Sequence, residues 1–204
     1  MASEIRIRSV SAEKDADALL SVYAPYVLET AITFEYEVPT REDFLSRIRA
    51  VQQKYPYLAA LKDGEIAGYA YAGAFNVRAA YDWSAETSIY VRKENRHEGI
   101  GGALYRALEQ VMKGMHVTNL NACIGVPAGD TDPNLDLNSA QFHQHTGYSL
   151  VGRFHRCGYK FGRWYDMIWM EKFIGDHPDR PEPIVPASDV LKTMAGPDGF
   201  LVLR

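Results

Sequence analysis

Polar and apolar residues alternate through IRIR at the start of IRIRSV (5–10), and this period of two reads as a first strand. The period then lengthens. Leu19, Leu20, Tyr23 and Val27 fall on helical spacing within 15–29, and Pro25 is expected to kink or split that segment. In TREDFLSRIRAVQQKY (40–55), Thr40 suits an N-cap, Asp43 complements the helix dipole in the first turn, and Phe44, Ile48 and Val51 form an apolar stripe. PYLAALKDGEIAGYAYAGAF (56–75) reads as two strands joined at Asp63-Gly64, a strong hairpin signal. AETSIYVRK (85–93) is a further strand, rich in β-branched and aromatic residues. Ile100, Leu104, Leu108, Val111 and Met115 then mark an amphipathic helix. VTNLNACIGV (117–126) is again strand-like. A polar loop, PAGDTDPNLDLN, leads to a short helix around SAQFHQH (139–145), with Gly147 as its C-cap. Residues 148–174 read as two closing strands around a turn at Gly162.

The order is strand, two helices, three strands, helix, strand, helix, two strands. This predicts a mixed α/β domain around a central sheet over residues 1–174, with the helix at 100–115 crossing over between parallel strands. Residues 175–204 differ: they hold five of the ten prolines and are expected to form an extended arm, with one short helical turn at DVLKTM. That arm has three places to go: solvent, its own domain, or a partner subunit.

Composition adds exclusions. The chain has 204 residues, 24% charged, with a net charge of −4, so there is no clustered basic excess to bind nucleic acid. The cysteines, Cys123 and Cys157, make no disulfide framework or CxxC pair. No apolar run approaches the ~18 residues of a membrane span, and MASEIRIRSV lacks the apolar core of a secretory signal. The expectation is a soluble cytoplasmic protein. His143 and His145 stand two apart, which faces them differently on a helix, so no metal site is expected.

The candidate chemistry begins at ENRHEGIGGALYRALEQ. Gly99, Gly101 and Gly102 stand where a strand hands over to a helix. The first N–H groups of a helix have no intrahelical partner and carry partial positive charge, and glycines let a phosphate approach them. Arg92, Lys93 and Arg96 lie just upstream. The spacing fits neither the Rossmann G-x-G-x-x-G nor a P-loop, which needs G-K-[ST]. A glycine-rich helix cap and a phosphate site both fit these residues taken alone.

VRKENRHEGIGGAL resembles the R-x-x-G-x-G/A motif of the GNAT superfamily of acetyl-CoA-dependent N-acetyltransferases, and the element order over residues 5–174 fits that fold. ITFE (32–35), RAAYDWSAETSIYV (78–91), FHQHTGY (142–148) and GYKFGRWYDMIWME (158–171) are similar to the phosphinothricin N-acetyltransferase branch, which acetylates glutamate-like or methionine-derived amino acid analogues. The resemblance implies a central, mostly antiparallel sheet flanked by helices, acetyl-CoA as co-substrate and a homodimer. It places coenzyme A against Ile89, Tyr90, Val91, Arg96, His97, Glu98, Gly99, Ile100, Gly101, Gly102, Asn138 and Ser139. One departure stands out: the branch's short N-x-x-S-x-x-L-H-E stretch is here the longer PAGDTDPNLDLNSAQFHQ, which puts Asp136 where the family asparagine stands.

Amide formation from a thioester needs a neutral amine and a base to take its proton. Glu86 occupies the position of the branch's proposed catalytic glutamate. Alternation puts Glu86, Ser88 and Tyr90 on one face of their strand and Thr87, Ile89 and Val91 on the other. A carboxylate there would be partly desolvated, which raises its pKa. His143 matches the branch histidine as a second candidate, either as proton relay or as packed side chain. Arg78 is the candidate anchor for an anionic group on the acceptor, with Phe34, Tyr81 and Trp83 as pocket walls. The alternatives are an acetyltransferase for a polyamine or a peptide or protein N-terminus, and a coenzyme A-binding protein without turnover.

Overall fold

The computed structural model describes residues 4–203. Seven strands form a single sheet in the order β1-β2-β3-β4-β5-β7-β6. They are β1 (Ile5–Ser9), β2 (Tyr57–Lys62), β3 (Glu65–Ala74), β4 (Ser84–Val91), β5 (Asn119–Pro127), β6 (Ser149–Lys160) and β7 (Arg163–Phe173). Every neighbouring pair is antiparallel except β4 and β5. The helices are α1 (Ala12–Glu29), α2 (Arg41–Gln52), α3 (Ile100–Gly114), α4 (Asn138–His145) and α5 (Ala187–Met194).

Local chemistry explains the turns. Asp63 and Gly64 take φ of 52° and 88°, and Phe161 and Gly162 take 50° and 72°. Two successive positive φ values are what a tight hairpin requires. Thr40 caps α2, its hydroxyl accepting from the Asp43 N–H at 3.1 Å. Pro25 does not split α1, which runs unbroken past it. Tyr23, Tyr26 and Val27, buried around the proline, hold the helix together where one backbone bond is lost.

Two cores sandwich the sheet. On one face α3 packs Leu104, Leu108, Val111 and Met112 against Leu58, Ala70, Leu120 and Ile168. On the other, Leu19, Tyr23 and Val27 of α1 and Phe44 and Ile48 of α2 cover Tyr57 and Tyr69. The C-terminal segment lies on its own domain. Its helix spans Ala187–Met194, longer than the single turn expected, because Ala187 and Val190 find an apolar seat beside α3. A Cβ at Gly114 would stand 2.6 Å from Val190, so this glycine admits the contact. Farther on, the Leu201 N–H donates to the Ile7 carbonyl at 2.7 Å. No helix among the described residues is long and apolar enough to cross a membrane.

The feature that positions the site is the β4–β5 pair. The two strands register for only three positions, Ser84 with Asn119, Ala85 with Leu120 and Glu86 with Asn121. Beyond Glu86 they part. β4 continues on β3 to Val91, and β5 continues on β7 to Pro127. A wedge opens between them in the middle of the sheet.

Candidate active site

The wedge leads into a cleft of about 350 Å³ lined by Ile89, Val91, Arg96, Gly99–Gly102 and the start of α4. Gly99 sits at φ 86° as the N-cap of α3, and nothing lies within 4 Å of where its Cβ would be. The first intrahelical bond runs from the Ala103 N–H to the Gly99 carbonyl, 3.0 Å. The N–H groups of Ile100, Gly101 and Gly102 therefore point out of the helix end, with no acceptor among the described residues. A diphosphate fits this end: it supplies the acceptors, and the helix dipole favours its charge.

The other predicted coenzyme residues divide. Arg96 and His97 line the cleft, and the Arg96 guanidinium stands 5.2 Å from the Tyr26 ring centroid. His97 is held at φ 63°. Glu98 turns away instead, accepting from Lys62 Nζ at 2.8 Å and from Asn95 at 3.1 Å. Asn138 and Ser139 line the cleft from α4, with the Asn138 amide donating to Asp136 at 2.6 Å. The Val91 backbone is not free as expected. Its N–H donates to the Tyr26 hydroxyl at 3.2 Å, and its carbonyl accepts from that hydroxyl at 2.5 Å. The Arg92 N–H bonds toward β3, so alternation sends the Ile89 N–H and carbonyl into the wedge. Ile89 is left as the strand edge against which an amide-bearing arm can pair. Tyr90 buries its ring among Tyr23, Tyr26 and Tyr69.

At the throat, a hollow of about 50 Å³ is bounded by Thr87, Ser88, Cys123, Gly125, Ser139 and His143. Glu86 stands one residue before this lining on β4, on the last paired rung of β4 and β5. Its carboxylate is half-buried and makes no hydrogen bond among the described residues, and burial pushes its pKa up.

Of the two roles open to His143, relay or packed side chain, its surroundings are those of a packed side chain. It is 3% exposed, and both ring nitrogens are occupied. Nδ1 donates to the Ser139 carbonyl at 2.7 Å, which leaves Nε2 to accept from the Tyr105 hydroxyl, also at 2.7 Å. Thr87 lies 3.3 Å from the Tyr105 hydroxyl and 3.1 Å from that of Tyr148. Burial lowers the His143 pKa to about 4, so the ring is neutral at pH 7. Thr87 belongs to this network while Glu86 faces the opposite side of β4, so sheet alternation separates the two sequence candidates.

Of the acceptor-side expectations, Arg78 is exposed and precedes a 3₁₀ turn at Ala79–Tyr81. Tyr81 packs against Phe75 with the rings tilted by 60° and centroids 5.8 Å apart. Phe34 packs on Gly158, where a Cβ would come within 2.3 Å of its ring, and on Tyr165. Trp83 serves the C-terminal segment instead: its indole N–H donates to the Glu182 carbonyl at 2.8 Å. Tyr26, Ile32 and Phe142 also line the cleft; Ile32 and Phe142 open two of the stretches that carry the family resemblance, whereas nothing in the sequence around Tyr26 marked it.

The glycines stand at an open helix N-terminus, as the sequence placed them, and beside it the sheet splits, which the sequence did not indicate. The acetyltransferase (GNAT) domain model matches residues 7–169. This chain belongs to the GNAT acetyltransferase family. It is 31% identical to phosphinothricin N-acetyltransferase of Streptomyces viridochromogenes over 187 residues, 91% of this chain and 96% of that protein. It is 26% identical to an L-methionine sulfoximine/L-methionine sulfone acetyltransferase of Salmonella typhimurium over 80% of this chain and 91% of that one. Among solved structures, a GNAT phosphinothricin acetyltransferase from Sinorhizobium meliloti in complex with acetyl-CoA aligns with a TM-score of 0.79. That pair shares 30% identity and covers 92% of this chain and 98% of the other.

Proposed function

We propose that this GNAT enzyme uses acetyl-CoA to acetylate the amino group of a small amino acid or analogue, of the phosphinothricin and methionine sulfoximine type. The observation that carries the reading is Glu86: a half-buried carboxylate without a hydrogen-bond partner, standing where the wedge between β4 and β5 closes. The open end of α3 binds the diphosphate, Ile89 pairs with the pantetheine arm, and the thioester reaches the throat.

Glu86 takes a proton from the acceptor's ammonium, directly or through water. The freed amine nitrogen forms a bond to the thioester carbonyl carbon, and the carbon–sulfur bond breaks. The nitrogen's second proton passes to the departing sulfur, which leaves as the coenzyme A thiol, and because the amine attacks the thioester directly no acyl-enzyme forms. Desolvation suits Glu86 to this work, because a carboxylate with a raised pKa is a stronger base. Cys123 borders the same hollow, but burial raises its thiol pKa to about 11, which keeps it protonated and poorly nucleophilic. Arg78, on the rim, is the contact for an anionic side-chain group. His143 positions the first turn of α4 through the Ser139 carbonyl.

The reading includes a cytoplasmic homodimer. Cys123 and Cys157 are free thiols, as a reducing compartment keeps them, and β6 exposes Leu150, Val151 and Phe154 on an edge strand suited to a second copy. The test of the activity is thiol release from acetyl-CoA with a panel of amines. Turnover of phosphinothricin, methionine sulfoximine and methionine sulfone is expected. Turnover of polyamines or peptide N-termini alone would replace the acceptor class, and acetyl-CoA binding without turnover of any amine would remove the enzyme reading.

A further inference from the structure

The acceptor side of Glu86 holds an ion pair with unused capacity. Arg47 of α2 donates through Nη1 to Glu35 Oε1 at 2.5 Å. The other carboxylate oxygen, Glu35 Oε2, is buried and has no hydrogen-bond partner. A carboxylate oxygen closed off from water without a donor is costly to keep. The Arg47 side chain is 52% exposed, so its remaining nitrogens face solvent, where a ligand can reach them. Donor and acceptor capacity thus remain side by side.

The pair shares its surroundings with Glu86. Tyr71 of β3 pairs with Ser88 of β4, which alternation puts on the Glu86 face. Burial raises the Tyr71 pKa, and the nearby charges of Glu86 and Glu35 push it the same way. Directly across from Glu86 stands Gly73, and a Cβ there would meet nothing within 4 Å, so the space in front of the carboxylate is open. The segment carrying Glu35 is fixed from below. The Lys160 ammonium donates to the carbonyls of Val27, Thr30 and Thr33 at 2.7, 2.8 and 2.8 Å.

We propose that the Glu35–Arg47 pair recognises the head group of a free α-amino acid, Arg47 taking the acceptor's α-carboxylate and Glu35 Oε2 its α-ammonium. This rests on the N-acetyltransferase reading and adds the acceptor's α-carboxylate to it. An amino acid head group is a dipolar ion with the same two charges reversed, so it meets the pair as a second pair would. A planar guanidinium accepts a carboxylate in fork geometry. A polyamine has no carboxylate for Arg47, and a peptide N-terminus carries a neutral amide there.

The test compares methionine sulfone with its α-carboxamide in the full-length enzyme. Wild type is expected to prefer the acid. Arg47→Gln should lower kcat/KM for the acid by about 10–100-fold and leave that for the amide within about threefold. Glu35→Gln should lower both, since both substrates carry the ammonium. The acetyl-CoA dissociation constant, measured by calorimetry, should not move in either variant. Arg47→Gln acting equally on acid and amide, or on neither, would overturn the assignment while leaving the acetyltransferase reading intact. An enzyme that acetylates no amine would end both.

Discussion

The Tyr105 hydroxyl stands 2.7 Å from His143 Nε2, and that contact makes the histidine an acceptor rather than a proton carrier. Nδ1 is committed to the Ser139 carbonyl, so the neutral ring has one tautomer that satisfies both neighbours. His143→Ala should cost about 2–4 kcal/mol in denaturant unfolding, from lost volume and the loss of the Tyr105 and Ser139 contacts, the Tyr105 hydroxyl turning to Thr87. The pH dependence has a definite sign. The folded pKa, about 4, lies below the ordinary value of 6.5, so the unfolded chain binds the proton first. Wild type should lose stability as pH falls from about 6.5 toward 4, by an amount on the order of 2–3 kcal/mol, and His143→Gln should flatten that slope. A kcat/KM profile whose acid limb disappears in His143→Gln would return the residue to the chemistry.

Glu86→Gln separates base catalysis from folding. We expect kcat to fall by about 10²–10⁴-fold with acetyl-CoA affinity unchanged. Stability should move the other way. A carboxyl whose pKa is raised by burial binds its proton more tightly folded than unfolded, so the charged form weakens the fold above its ordinary pKa. Removing that charge should leave the melting temperature at pH 7 equal or higher. A stable variant with wild-type kcat across the pH range would exclude Glu86.

The glycines at the start of α3 divide by what a side chain would meet. At Gly101 a Cβ would stand 3.0 Å from Phe142 Cε2, so a branched residue there disturbs the packing of α4 as well as any ligand. At Gly102 the nearest atom is the flexible Arg106 Nη1, 3.3 Å away. Gly102→Val is therefore the cleaner probe. Calorimetry should show acetyl-CoA binding weakened by about tenfold or more, with thermal unfolding little changed. Unaltered affinity would move the diphosphate elsewhere.

Much of this architecture was legible in sequence because local signals and packing agree. Asp63-Gly64 specifies its hairpin wherever the strands go, and Leu104, Leu108 and Val111 repeat on one face of α3. The glycine motif was legible because it needs only a strand, a turn and a helix start. What escaped depends on contacts between distant segments. Tyr26 caps the Val91 backbone from 65 positions away, and no spacing rule reaches so far. Trp83 was open to a pocket wall or to packing in the core or an interface, and its partner Glu182, which decides for packing, lies 99 residues on. The Glu35–Arg47 pair was hidden for a different reason. Glutamate and arginine on a polar loop and a helix read as solvated charges until the fold sets them beside Tyr71.

Lys160 is the test of how far the acceptor side depends on buried polar support. The residue is 2% exposed, yet its ammonium has three protons and three carbonyls to receive them. Two of those carbonyls, of Val27 and Thr30, belong to the end of α1, where the helix dipole also favours a cation. The third, of Thr33, precedes Phe34 and Glu35 by one and two residues. Lys160→Met keeps most of the volume and removes the donors, leaving the carbonyls without their partner. Unfolding should become easier by about 2–4 kcal/mol. Because the freed segment carries the acceptor-side residues while the α3 end is built independently, KM for the amine should rise and the acetyl-CoA dissociation constant should hold. Equal losses for both substrates would mean that Lys160 supports the whole fold rather than this segment.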